Sequence, residues 1–178
     1  MAGTAVIVID MLNPYEHEDA EPLAQGVEAI VRPLSRLVSA AHDRSDIDLV
    51  YVNDNYGDFT AGRGDLEERA LKGRRPDLVE PVLPPRDCAF LPKVRHSVFY
   101  GTSLEYYLLR HGVGSVVLTG QVTEQCVLYS ALDAYVRHFA ITVPTDCVAA
   151  IHEDLGAAAL RMMERNMSAA LVTAGEAL

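Results

Sequence analysis

The chain has 178 residues, about half of them apolar, and no low-complexity tract, which fits one domain spanning 1–178 with a substantial core. A formal net charge of −10 argues against a broad phosphate-binding surface, since nucleic acid would be repelled; a small molecule is the expected ligand. The N-terminal apolar run at 5–9 is too short to span a bilayer and lacks a basic flank, so it reads as a buried strand, with no membrane partner and a cytoplasmic location as expectations.

In chain order, residues 4–9 form a β-branched run ending at Asp10, the pattern of a strand buried on both faces whose polar end opens into a cleft. Residues 23–42 carry apolar side chains at helical intervals and predict a helix, kinked at Pro33. A second apolar run, 47–52, ends in Asn53, Asp54 and Asn55, followed by Gly57. The charged, Pro- and Gly-rich stretch 58–86 predicts a loop around a short helix at 66–71, suited to a lid or a subunit contact. A short apolar segment at 88–91 leads to Lys93, and Thr102 to Glu105 has capping-box spacing, opening a helix that ends near Gly112. Strand 115–119, helix 124–138, strand 140–143, helix 153–166 and strand 169–172 complete the series. This alternation predicts an α/β fold, a mostly parallel sheet with helices on both faces and a ligand cleft beyond the carboxyl ends of the strands.

Asp10, residues 53–55, Lys93 and the turn 120–126 all follow strands, so one cleft can collect them. Cys126 falls in the first turn of a helix for which Thr123 is a candidate N-cap. Free N–H groups and the helix dipole there predict a thiol that ionises readily, and the same N–H groups suit an oxyanion. Each residue alone also has a plain explanation: a packing cysteine, a turn carboxylate, a solvated lysine. Together they meet the nucleophile, base and charge requirements of acyl transfer. Three cysteines, an odd number without paired spacing, suit a reducing compartment better than a disulfide scaffold.

Three runs stand in order along the chain: Val6-Ile7-Val8-Ile9-Asp10-Met11, then Lys93 with Phe99-Tyr100-Gly101-Thr102-Ser103-Leu104, then Gly120-Gln121-Val122-Thr123-Glu124-Gln125-Cys126-Val127. In them the sequence resembles the isochorismatase-like cysteine hydrolases. The resemblance implies a three-layer fold with a six-stranded sheet of order 3-2-1-4-5-6, a catalytic Asp10-Lys93-Cys126 triad and a homo-oligomer, dimer or tetramer. It also implies a non-proline cis peptide before Val122 that aims backbone N–H groups, those of Val122 and Cys126, at the substrate oxygen. Tyr15, Asn53, Asn55, Tyr56 and Gln121 are the expected substrate-binding positions. Nicotinamidases of this family place an Asp and histidines after the second strand to hold a metal; here that segment has no His, and the six histidines lack ligand spacing, so no metal and no cofactor are expected. His96 and Tyr100 could face the pocket, but the favoured readings are a loop histidine and a packed tyrosine. Specificity is expected in the loops 14–21 and 56–75.

The implied mechanism has Asp10 take the thiol proton, Lys93 stabilise charge, and the thiolate attack an amide carbonyl to give a thioester. Asp10 then protonates the leaving amine and activates water. A vinyl ether hydrolysis such as that of isochorismate, with Asp10 protonating carbon and no covalent step, is the alternative within the family. From a different functional class, a non-catalytic member that binds a metabolite or partner through the same cleft is the other alternative. A redox role for Cys126 would require a resolving cysteine, and none is near in sequence.

Overall fold

Strands and helices alternate along residues 3–178, the part of the chain that this computed structural model describes. The strands are β1 (Gly3–Ile9), β2 (Ile47–Asp54), β3 (Ala89–Lys93), β4 (Val113–Gln121), β5 (Ala140–Pro144), β6 (Val148–Ala149) and β7 (Ala170–Val172). The helices are α1 (Ala20–His42), α2 (Arg63–Leu71), α3 (Pro76–Val79), α4 (Leu104–Arg110), α5 (Leu128–Val136) and α6 (Glu153–Met167). The sheet order is β3-β2-β1-β4-β5-β7, every pairing is parallel, and β6 pairs with β4 alone. The expected order 3-2-1-4-5-6 holds once the two-residue β6 is counted as an extra strand, the last predicted strand becoming β7.

The period-2 alternation of the central strands divides the core in two. Val6, Val8, Leu49, Tyr51 and Val117 face the layer covered by α1, whereas Ala5, Ile7, Ile9, Val50, Val52, Val116 and Leu118 face the layer covered by α4, α5 and α6. Helix α1 runs without interruption through Pro33 and buries Leu23, Val27, Ile30, Leu34, Leu37 and Val38. A proline in a helix interior costs about 3 kcal/mol. Six buried apolar side chains at roughly 1.5–3 kcal/mol each outweigh it.

From β1 the chain winds outward to β2 and β3, and from β4 outward to β5 and β7, so β1 and β4 flank the point where the winding reverses. Ligand crevices of such sheets open there, beyond the carboxyl ends of the strands. Gly120, at φ 99°, lets the two strands close up at this point: a Cβ on it would sit well inside van der Waals contact of the Ile9 backbone.

Two local expectations are corrected. Thr102 and Glu105 do not form a capping box. The Thr102 hydroxyl accepts the Leu104 N–H at 3.2 Å, but Glu105 turns to Arg137 beyond α5, pairing at 2.8 Å, because a guanidinium is the stronger partner for its carboxylate. The stretch 58–86 is mostly helical, with α2 and α3 joined to a 3-10 turn at Glu80–Val82. Leu66, Ala70, Leu78 and Val79 bury themselves there, and these contacts override the stretch's loop-like composition.

Candidate active site

Four strand ends build the floor of a cleft. Ile9 pairs with both Val52 and Gly120, and Asp54 with Lys93, so Asp10, Asp54, Lys93 and Gln121 emerge side by side. Asp10 sits in the left-handed region, φ 55°, which a short polar side chain with local partners tolerates best among non-glycine residues. Its Oδ1 accepts the Asp54 N–H at 2.7 Å, its Oδ2 lies 2.8 Å from Lys93 Nζ, and its carbonyl accepts the Gln121 side-chain amide at 2.6 Å. Lys93 is buried; its Nζ also lies 3.6 Å from Cys126 Sγ and 3.6 Å from Asp54 Oδ2. The Asp10 carboxylate and the Val122 backbone amide both act on the charge of the Cys126 sulfur. Lys93 thus stands between the Asp10 carboxylate and the Cys126 thiol.

The peptide bond between Gln121 and Val122 is cis. Beyond it the chain forms a π turn, Thr123–Val127, before α5 begins. The Thr123 hydroxyl is buried without a hydrogen-bond partner and Val122 occupies the cap position, so Thr123 is not the N-cap expected of it. The wide turn places the Val127 N–H on the Val122 carbonyl at 3.1 Å and turns Thr123 inward. Glu124 anchors this turn to the segment before α6, its Oε1 accepting the Ile151 and His152 N–H groups at 3.0 and 2.9 Å.

Electrostatics correct a second expectation. Burial pushes the Cys126 thiol well above its ordinary value and the Asp10 charge adds to this, while Lys93 and the Val122 amide pull downward without prevailing. Burial also raises Asp10 above the usual carboxylate range against the pull of Lys93. Lys93 is itself disfavoured as a cation by burial, but Asp10 and Cys126 beside it hold it above the ordinary lysine value.

Above this floor lies a cavity of about 400 Å³ with Asp10, Cys126, Val122 and Gln121 at its base. Leu23, Ile151 and Pro14 give it apolar wall, and Glu16, His17, Asp19, Arg69 and His96 stand among its polar lining.

A match to the isochorismatase domain extends over residues 4–176. The chain belongs to the isochorismatase family of hydrolases. An isochorismatase family protein of Bacillus subtilis, YaaI, is 33% identical over 172 residues, 97% of this chain and 94% of that protein. The maleamate amidohydrolase of Pseudomonas putida is 30% identical over 158 residues, 84% of this chain and 74% of its own. Among solved structures, an isochorismatase-like hydrolase from Alkaliphilus metalliredigens superposes with a TM-score of 0.80 at 28% identity, covering 98% of this chain and 96% of the other.

Within this family architecture, Tyr56 and Gln121 line the cavity as the sequence suggests, although both have internal partners. The Tyr56 hydroxyl donates to the Leu12 carbonyl at 2.9 Å, and Gln121 Oε1 accepts the Tyr15 hydroxyl at 3.4 Å. Tyr15, Asn53 and Asn55 are buried and outside the lining. Asn53 bonds the Leu12 N–H and carbonyl at 2.9 and 3.2 Å, and Asn55 accepts the Gly57 N–H at 3.0 Å, so these three brace the loops. Of the two residues that could face the pocket, His96 lines the cavity with Nδ1 3.8 Å from Cys126 Sγ, whereas Tyr100, favoured as packed, is exposed. Sequence reasoning also passed over Arg69, whose guanidinium stacks on the Tyr56 ring at 4.9 Å. Among the described residues no group of three or more His, Cys, Asp or Glu side chains is arranged to hold a metal, and no helix is long and apolar enough to cross a membrane.

Proposed function

We propose that this isochorismatase-family hydrolase cleaves the C–N bond of a small amide through a thioester on Cys126. The observation that carries the reading is the position of Lys93 Nζ, 2.8 Å from Asp10 and 3.6 Å from the sulfur, at the base of an open cavity. Asp10 accepts the thiol proton as the sulfur attacks the carbonyl carbon, and Lys93 keeps the developing thiolate and the carboxylate in one charge-balanced cluster. Because burial and the Asp10 charge disfavour a free thiolate, ionisation is coupled to attack. The raised Asp10 then suits the next step, in which the C–N bond breaks and Asp10 returns the proton to the departing amine. The N–H groups of Val122 and Cys126 serve the carbonyl oxygen, each such donor being worth roughly 3 kcal/mol in the transition state.

Maleamate, the substrate named for the Pseudomonas relative, is the first amide to test, followed by other small amides, with ammonia release and intact-protein mass as readouts. The wild type should release ammonia and be trapped as an acyl-enzyme on Cys126, and Cys126→Ala and Asp10→Asn should both be inactive. Lys93→Met should acylate slowly with its fold intact; normal single-turnover acylation by that variant contradicts the role given to Lys93. If Cys126→Ala keeps hydrolysing while Asp10→Asn does not, the covalent route is wrong and proton-driven vinyl ether chemistry takes its place.

A further inference from the structure

Three titratable side chains surround the Cys126 sulfur, and only two are used in forming the acyl-enzyme. Lys93 is buried beneath it, and Asp10 has one oxygen on the Asp54 N–H and the other on Lys93. The third is His96, whose Nδ1 stands 3.8 Å from Sγ. It comes from the loop between β3 and α4, is exposed, and lines the cavity. Its ring leans on Tyr129 of α5, centroids 5.5 Å apart and planes at 54°, so the contact with sulfur has a lateral support. Among the described residues it has no other hydrogen-bond partner.

Hydrolysis of a thioester requires water to reach the carbonyl carbon bonded to Sγ and to lose a proton as it attacks. That water arrives from the open side of the cavity after the amine has left. Asp10 also lines the cavity, but its oxygens are already shared with the Asp54 N–H and Lys93 Nζ. His96 is the uncommitted base on that side, within reach of the sulfur.

We propose that His96 is the catalytic base of deacylation, an inference that rests on the thioester reading of Cys126. Neutral His96 Nδ1 takes one proton from water as the water oxygen bonds to the thioester carbon, giving an imidazolium and a tetrahedral oxyanion. The carbonyl re-forms, the C–S bond breaks, and the departing sulfur takes the proton from Nδ1. Free thiol, neutral imidazole and a carboxylic acid result, and the acid loses its own proton to solvent. Acid–base work is thereby divided: Asp10 serves the thiol and the amine from the buried side, and His96 serves water and the leaving sulfur from the exposed side.

The test uses p-nitrophenyl acetate, an activated ester that separates the two half-reactions. The burst of p-nitrophenolate reports acylation, the later steady rate reports deacylation, and intact mass reports the acetyl group on the protein. In His96→Gln the burst should keep its rate within about twofold while the steady rate falls roughly 100-fold, with acetyl-enzyme accumulating. In His96→Ala, added imidazole should restore the steady rate without changing the burst. A retained burst is also the check that the variants fold. The assignment is overturned if His96→Gln turns over at the wild-type rate, or if burst and steady rate fall by the same factor without accumulation. A wild type that never acetylates Cys126 removes the thioester itself, and that failure is distinguishable because it shows before any His96 variant is made.

Discussion

The floor and the rim of the cavity are built on different terms. On the floor, Asp10 is fixed by Asp54, Lys93 and Gln121, all at the ends of paired strands, and Cys126 Sγ rests against Lys93 in the turn that follows β4. On the rim, Glu16, Asp19, Arg69 and His96 are exposed and come from loops or from the short helix α2. A reacting group displaced by an ångström loses much of its effect, so chemistry belongs where rotamers are locked by the sheet. Recognition tolerates looser placement and benefits from side chains free to meet a ligand. Rearranging the floor should therefore change the reaction itself, whereas changing the rim should alter which molecule reacts.

The sharpest way to break that contrast is to change the charges of the floor one at a time. Asp10→Asn should lower turnover by roughly 10²–10⁴-fold. It should also make Cys126 easier to alkylate, because the anion that helps hold the thiol up is gone while Lys93 remains. Lys93→Met should act in the opposite direction on the thiol, since it removes the cation that pulls it down. Labelling by iodoacetamide followed across pH would then begin at lower pH than wild type for Asp10→Asn and at higher pH for Lys93→Met. Shifts of the same sign in both variants would mean that the three side chains are not electrostatically coupled as drawn.

A second test moves the floor without touching its chemistry. Gly120→Ala places a methyl group against the Ile9 backbone at a positive φ, and either β4 or β1 must yield. A loss of about 2–4 kcal/mol is expected in a urea titration, together with a turnover defect larger than any change in KM. Smaller is the effect of Glu124→Gln, which keeps an oxygen for the Ile151 and His152 N–H groups but removes its charge. About 1–2 kcal/mol should be lost. Because Glu124 joins the Cys126 turn to the wall formed by Ile151, this variant should weaken substrate binding and slow acylation together.

The legibility of the site follows the same division. Asp10, Lys93 and Cys126 could be found because each terminates or follows an apolar run, and a parallel sheet brings such ends together wherever they lie in the sequence. The strand order became an expectation through the family likeness, and the alternation of Val6 and Val8 with Ala5, Ile7 and Ile9 accounts for the two core layers. His96 lies in a loop whose path is set by a series of bends with no periodicity to read, and its approach to the sulfur depends on that path. Arg69 is on a short helix inside a stretch whose composition suggests a loop. Thr123 has the residue type of an N-cap, but the π turn that follows buries its hydroxyl. The helix end that favours a thiolate is legible in local sequence, whereas the burial and the Asp10 charge that oppose it arise only from the tertiary fold.

The rim should answer most weakly in stability and most selectively in function, and Arg69 is the position at which to measure both. Its guanidinium lies over the Tyr56 ring, an arrangement worth roughly 0.5–1 kcal/mol at an exposed site. No carboxylate pairs with it among the described residues, so Arg69→Ala should cost no more than that in a urea titration. Tyr56 remains held through its hydroxyl on Leu12, and the Asp10-Lys93-Cys126 contacts lie on other elements, so iodoacetamide should label Cys126 at the wild-type rate. Any change should instead appear as a KM effect that differs between neutral and anionic amides, because removing the guanidinium leaves the carboxylates of Glu16 and Asp19 unopposed at the mouth. An altered labelling rate in Arg69→Ala would show that rim and floor are one coupled unit, and the division of labour between them would have to be abandoned.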